Sequence, residues 1–220
     1  MGRLEAGPTP AVGVGMRINL PNQITLARLA MAVVCFACLA QYEARAGRPG
    51  AWLLDLSAVL FTIAGLTDIV DGYLARKQNQ VTSFGRVIDP FVDKILVLGA
   101  YIFLAGDGFL DAGGRRTSDV AGWMVVVILG RELLVTSLRG VTEAAGQSFA
   151  ANAYGKAKMF LQSVTVVWVM LTVAHPQGLA TCAAIRPVLV YVMVAITFLS
   201  VIPYLRMARG VLSQMAVATE

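Results

Sequence analysis

Runs of about twenty mostly apolar residues, the length an α-helix needs to cross hydrocarbon, recur six times in this chain. They cover about 23–41, 52–76, 85–105, 120–145, 153–174 and 186–209, and leave no room for a separate soluble domain. The chain is 57% hydrophobic and only 14% charged, whereas soluble domains carry about 25% charged residues. The expected fold is therefore an all-α integral membrane protein with six transmembrane helices in residues 19–210, flanked by tails at 1–18 and 211–220.

The connections differ in character. Met1 to Val14 is rich in Gly and Pro and reads as a disordered cytoplasmic tail, and Asn19-Leu20-Pro21-Asn22 as an interfacial turn. Cys38-Leu39-Ala40 resembles a signal-peptide cleavage site, but Arg28 within the run and five later runs favour an uncleaved first helix. Lys77 to Phe84 is a short polar hinge, Gly106 to Ser118 is expected to be a longer exposed loop, and Pro203 to kink or shorten the last helix.

The formal net charge of +5 is scattered between apolar segments rather than massed in a stripe. This disfavours nucleic acid and points to anionic membrane lipid and phosphorylated substrates as partners. Cys35 and Cys38 form a C-x-x-C without a second pair or a nearby His, so helix packing is expected for them and for Cys182. The single histidine, His175, precedes Pro176 and reads as a loop or interface position. With the N-terminus inside, Arg3, Arg17, Arg76, Lys77, Arg86, Arg139, Lys156, Lys158, Arg206 and Arg209 are cytoplasmic; Arg45, Arg48, Arg115, Arg116 and Arg186 lie outside. That excess places both termini in the cytoplasm.

Four carboxylates then fall on the cytoplasmic side. Asp68 and Asp71 share a helical face near the end of the second run, and Asp89 and Asp93 form an equivalent pair near the start of the third. The short hinge makes these helices antiparallel neighbours, so the pairs can converge around a polar active-site cavity. Clustered carboxylates repel unless cations sit between them, and hard oxygen donors select Mg²⁺, Mn²⁺ or Ca²⁺. Two such ions about 3.5 to 4 Å apart would clamp an in-line phosphoryl displacement. Gly72 and Ala75 allow a group to approach the helix backbone, Arg76 can bind phosphate, and Gly85 permits close packing or substrate contact. A cation channel, the competing class, would distribute acids through the membrane depth instead of gathering them at one end.

Asp68-Ile-Val-Asp71-Gly72-Tyr-Leu-Ala75-Arg76, then Gly85, Asp89 and Asp93, resembles the complete signature of the CDP-alcohol phosphatidyltransferase family, with no motif position departing from it. The resemblance implies attack by an alcohol on the lipid-bearing phosphate of a CDP-linked lipid, releasing CMP. It implies that Asp68, Asp71, Asp89 and Asp93 bind two divalent ions, Mg²⁺ or Mn²⁺, with Asp93 also deprotonating the acceptor. Gly72, Ala75, Arg76 and Gly85 would hold the CDP moiety. A homodimer is a further expectation from the family.

The acceptor is read outside the motif. Arg131 and Glu132 lie well inside the fourth run, Arg139 follows on the face of Arg131, and Lys156 and Lys158 open the fifth. Intramembrane charges of this kind usually face a cavity. Arg131, Arg139, Lys156 and Lys158 are expected to bind an acceptor's own phosphate; the alternative pairs Arg131 with Glu132 or an aspartate and leaves the lysines at the membrane surface. The block from Asn19 to Arg28, Arg131-Glu132 with Arg139, and Gly155-Lys156-Ala157-Lys158 with Gln162 resemble bacterial members of the family that join CDP-diacylglycerol to glycerol 3-phosphate. Met159 departs from the Thr common there. Members that make cardiolipin from phosphatidylglycerol share much of this pattern. The resemblance implies residence in the bacterial inner membrane with the site facing the cytoplasm.

Overall fold

The computed structural model describes residues 20–46, 50–78, 83–144, 153–206 and 209. The side chains at 20–22, 46, 68–90, 93, 143–144, 153–154 and 156 lie outside the described set. Six long helices appear where the apolar runs predict them: α1 (Leu20–Gln41), α2 (Ala51–Gln78), α3 (Ser83–Leu104), α4 (Gly122–Ala144), α5 (Ala153–Ala174) and α6 (Ala180–Leu199). The described residues contain no β-strand, only an isolated bridge between Leu110 and Arg116.

Among the described residues, three segments are long and apolar enough to cross a membrane: Gln23–Gln41, Ala157–Ala174 and Ala180–Arg206. The apolar stretches of α2 and α3, Ala51–Thr67 and Lys94–Leu104, are shorter. Helix α4 carries Arg131, Glu132 and Arg139 within its apolar run, which keeps it out of this set.

Helix α1 lies against α2 and α3, α2 against α5, α5 against α6, and α6 against α4. Core residues recur at helical spacing, as in Ala32, Cys35 and Leu39 of α1 and Leu96, Ala100 and Leu104 of α3. The outward faces are also apolar: Val126, Phe160 and Phe198 are 68%, 73% and 64% exposed. Such surfaces would drive association in water and are at ease against lipid tails. Cys35 and Cys38 are buried, and Cys35 meets Ser57 across α1 and α2, its carbonyl accepting from Ser57 Oγ at 3.4 Å. His175 Nε2 lies 2.8 Å from Asp55 Oδ1, joining the end of α5 to the start of α2, an interface position as expected.

Two local expectations need correction. Residues 106–118 are not simply an exposed loop: Phe109 and Ser118 are fully buried. Asp111 Oδ1 accepts from the backbone N–H groups of Gly113 and Arg115, Arg116 donates to the carbonyls of Ala105 and Gly106, and Ser118 Oγ donates to Leu104 O at 2.6 Å. The connection therefore satisfies its own polar groups and those at the end of α3. Helix α6 begins at Ala180 rather than near Arg186 and continues through Pro187. Proline lacks the N–H that would bond the Ala183 carbonyl, and both residues face a cavity where solvent can reach it. The expectation for Pro203 holds. The helix ends at Leu199, turns at Ser200 and Val201, and resumes over residues 202–206 with the proline in the first turn.

Close backbone approach fixes one glycine. A Cβ on Gly108 would lie 2.4 Å from the Tyr42 carbonyl oxygen, whereas one on Gly65 in α2 meets nothing within 4 Å. Gly108→Ala is expected to cost about 1–3 kcal/mol, and Gly65→Ala to gain up to about 1 kcal/mol. Thermal denaturation in detergent measures both; equal effects would contradict this packing.

Candidate active site

The backbone places the aspartates at matching depths. Asp68 and Asp71 precede the end of α2 at Gln78, and Asp89 and Asp93 follow the start of α3 at Ser83, by comparable numbers of residues. At 1.5 Å per residue, each pair lies about 9–15 Å from the α2–α3 connection. Gly72 directly follows Asp71 on α2, while Ala75 and Arg76 on α2 and Gly85 on α3 lie about one turn nearer that connection. The side chains of these motif residues, and that of Lys156 on α5, lie outside the described set, as do residues 79–82 of the hinge. Among the described residues no three His, Cys, Asp or Glu side chains converge as a metal site. The donor set of the motif, four carboxylates without thiolate or imidazole, fits a hard divalent cation.

The basic residues are described, and Glu132 organises them. Its Oε1 accepts from Arg131 at 3.1 Å and from the Lys158 ammonium. The Arg131, Lys158 and Glu132 side chains are only 6%, 3% and 13% exposed. Arg131 Nε also donates to Ser200 Oγ at 3.0 Å, and its guanidinium lies over the Tyr204 ring, 5.3 Å from the centroid. Four elements thus hold one cluster: α4 supplies Arg131 and Glu132, α5 supplies Lys158, and the turn and short helix after α6 supply Ser200 and Tyr204. Gly155 permits the last contact, because a Cβ there would lie 2.8 Å from the Tyr204 hydroxyl oxygen.

The pairing of Arg131 with Glu132 is the alternative weighed from sequence, but Lys158 does not behave as a surface topology signal. It is buried, and with Lys94, Glu132 and Gln162 it walls a cavity of about 20 Å³, room for one water. Gln162 donates to Thr197 Oγ1 at 3.0 Å and its carbonyl accepts from Tyr101 at 2.9 Å, which fixes the cavity floor. Lys94 Nζ donates to Thr136 Oγ1 at 2.5 Å, tying α3 to α4.

Three cations, Lys94, Arg131 and Lys158, therefore gather around one carboxylate. Arg131 NH2 is buried without a hydrogen-bond partner among the described residues, and so is Arg139 Nε. Arg139 does not join the Glu132 cluster. It lies about 12 Å further along α4, toward the end at which α2 turns into α3. A partly buried region with surplus positive charge is costly unless an anion completes it.

Sequence reasoning missed Lys94, Ser200 and Tyr204. Lys94 carried a usable signal, a cation inside an apolar run directly after Asp93. Ser200 and Tyr204 carried none, because their partner is about seventy residues away. Arg28, to which the sequence reading assigns no site role, is 1% exposed within the bundle.

The sequence profile of the CDP-alcohol phosphatidyltransferase family matches residues 18–207, which take in all six helices and the aspartate-bearing α2–α3 pair. This chain belongs to that family. Among similar proteins, one from Bacillus subtilis (strain 168) is 41% identical over 158 residues, covering 70% of this chain and 77% of its own. One from Salmonella choleraesuis (strain SC-B67) is 32% identical over 201 residues, covering 89% and 97%. One from Rickettsia bellii (strain RML369-C) is 40% identical over 144 residues, covering 66% and 70%. All three are named CDP-diacylglycerol--glycerol-3-phosphate 3-phosphatidyltransferase.

Proposed function

We propose that this protein transfers the phosphatidyl group of CDP-diacylglycerol to glycerol 3-phosphate, forming phosphatidylglycerophosphate and CMP in phospholipid biosynthesis. The observation that carries the acceptor assignment is the surplus of buried positive charge around Glu132, reached along α3 one residue after Asp93. A neutral alcohol would leave that charge without a counterion, whereas a phosphomonoester supplies two negative charges.

In this reading Asp93 accepts the proton of the acceptor hydroxyl as its oxygen bonds to the lipid-bearing phosphorus and the bond to CMP breaks. Asp68, Asp71, Asp89 and Asp93 hold divalent Mg²⁺ or Mn²⁺, which when bound neutralises the pyrophosphate and the departing CMP. Gly72, Ala75, Arg76 and Gly85 hold the CDP moiety, while Arg131, Arg139, Lys156 and Lys158 draw the acceptor's phosphate toward Asp93. The cavity at Lys94 and Lys158 is too small for glycerol 3-phosphate, so binding includes movement of those side chains away from Glu132. Six spans place both termini and the aspartates on the cytoplasmic face of a bacterial inner membrane, and the protein works as a homodimer.

Supplying purified protein with CDP-diacylglycerol, Mg²⁺ or Mn²⁺ and labelled glycerol 3-phosphate should release CMP and labelled lipid one for one. Failure of label to enter lipid would reject the acceptor. Arg139→Ala should raise the KM for glycerol 3-phosphate by about 10- to 100-fold, the loss of a charged hydrogen bond, with little change for CDP-diacylglycerol. Equal changes for both substrates would remove Arg139 from the acceptor pocket.

A further inference from the structure

The larger cavity is at the other end of the bundle. It has a volume of about 600 Å³ and is lined by residues that follow α1, end α5, begin α6 and connect α3 to α4. Its position is informative, because among the described residues α1, α5 and α6 hold segments long and apolar enough to span a membrane. Tyr42 follows the end of the first, Ala174 ends the second, and Pro187 lies in the early turns of the third. A cavity at the common end of three spans sits at the boundary between hydrocarbon and water, where phospholipid phosphates reside.

The charges of the wall suit one such phosphate. Among the described lining residues, Arg115, Arg116 and Arg186 face Asp111 and Asp119, a surplus of one positive charge. Asp119 is held at φ 59°, a conformation uncommon for a residue with a side chain, and accepts from Arg186 Nε at 2.7 Å. Arg186 NH1 lies 3.5 Å from Thr172 Oγ1, so Asp119 and Thr172 fix the guanidinium in the wall. Asp111 is occupied by two backbone N–H groups, and Arg116 by the carbonyls ending α3. Arg115 is left exposed at the rim. A phosphodiester with one negative charge balances this site, while a phosphomonoester would overcharge it. Alanines, Val173 and Pro187 supply the apolar part of the wall, fit for the glycerol end of a lipid rather than a free ion.

We propose that this cavity is a second lipid site, distinct from the aspartate site, which binds the phosphodiester headgroup of an anionic phospholipid in the opposite leaflet. Native mass spectrometry of the full-length protein in detergent, titrated with phosphatidylglycerol, phosphatidylcholine or inorganic phosphate, tests it. The wild type should retain one phosphatidylglycerol that Arg115→Gln weakens about tenfold, the loss of one charged contact. Arg186→Gln should weaken it at least as much. Arg115→Gln should leave CMP release unchanged, which separates this site from the transferase site and confirms that the variant folds. Equal retention of phosphatidylglycerol by the wild type and Arg115→Gln would overturn the proposal. So would retention of phosphatidylcholine as strong as that of phosphatidylglycerol, or displacement of the lipid by millimolar phosphate, which would mark a site for the free ion.

Discussion

Asp93→Asn is expected to leave a folded protein that still binds CDP-diacylglycerol but turns over about 10²- to 10⁴-fold more slowly, the usual range for loss of a general base. The amide keeps the size of the side chain but is far too weak a base to take the acceptor's proton. An aspartate is a weak base at neutral pH, so its contribution depends on its place beside the hydroxyl. The helical backbone fixes that place, ten residues into α3 and directly before Lys94, which donates to Thr136 of α4. Lys94→Met should therefore slow turnover less than Asp93→Asn and act mainly on the KM for glycerol 3-phosphate. Stopped CMP release with retained CDP-diacylglycerol binding supports this division, and turnover like that of the wild type removes Asp93 as the base.

Glu132→Ala should have the largest effect on stability. It would leave the Arg131 and Lys158 side chains, 6% and 3% exposed, without their shared carboxylate. Breaking a buried pair from one side typically costs about 3–5 kcal/mol. For a chain of this size that corresponds to a fall in denaturation temperature on the order of 10 °C. Two comparisons isolate the cause. Removing Lys158 in the same protein, as Glu132→Ala with Lys158→Met, should recover part of the loss, because one uncompensated cation disappears. Glycerol 3-phosphate should stabilise Glu132→Ala more than it stabilises the wild type, because the ligand's phosphate occupies the place of the missing carboxylate. Denaturation followed by tryptophan fluorescence measures both, and additivity of the two substitutions would contradict the shared pairing.

The six helices were legible because the length of an apolar run and the thickness of a bilayer constrain each other. Their ends were less so. The sixth run reads from Arg186, yet α6 starts at Ala180 and continues through Pro187, whose missing N–H leaves the Ala183 carbonyl facing the cavity. The loop from Gly106 looked exposed from its glycines, but Phe109 fills the core and Asp111 and Arg116 tie up its backbone. Spacing along α2 and α3 made the aspartate motif fully legible as a pattern. The basic pocket was legible only in part. Arg131 and Lys158 could be picked out as charges among apolar residues, but their convergence on Glu132 depends on how α4 meets α5, which no local spacing encodes. Ser200 and Tyr204 enter through the turn that ends α6, so their roles follow from tertiary packing alone.

The most direct test of the account is an acceptor panel. Purified protein with CDP-diacylglycerol and Mg²⁺ or Mn²⁺ is offered glycerol 3-phosphate, phosphatidylglycerol, inositol phosphate or serine, and CMP and lipid product are measured together. The account expects CMP release with glycerol 3-phosphate, phosphatidylglycerophosphate as the product, and loss of both in Asp93→Asn. CMP release with phosphatidylglycerol but not with glycerol 3-phosphate would contradict it and make cardiolipin the product.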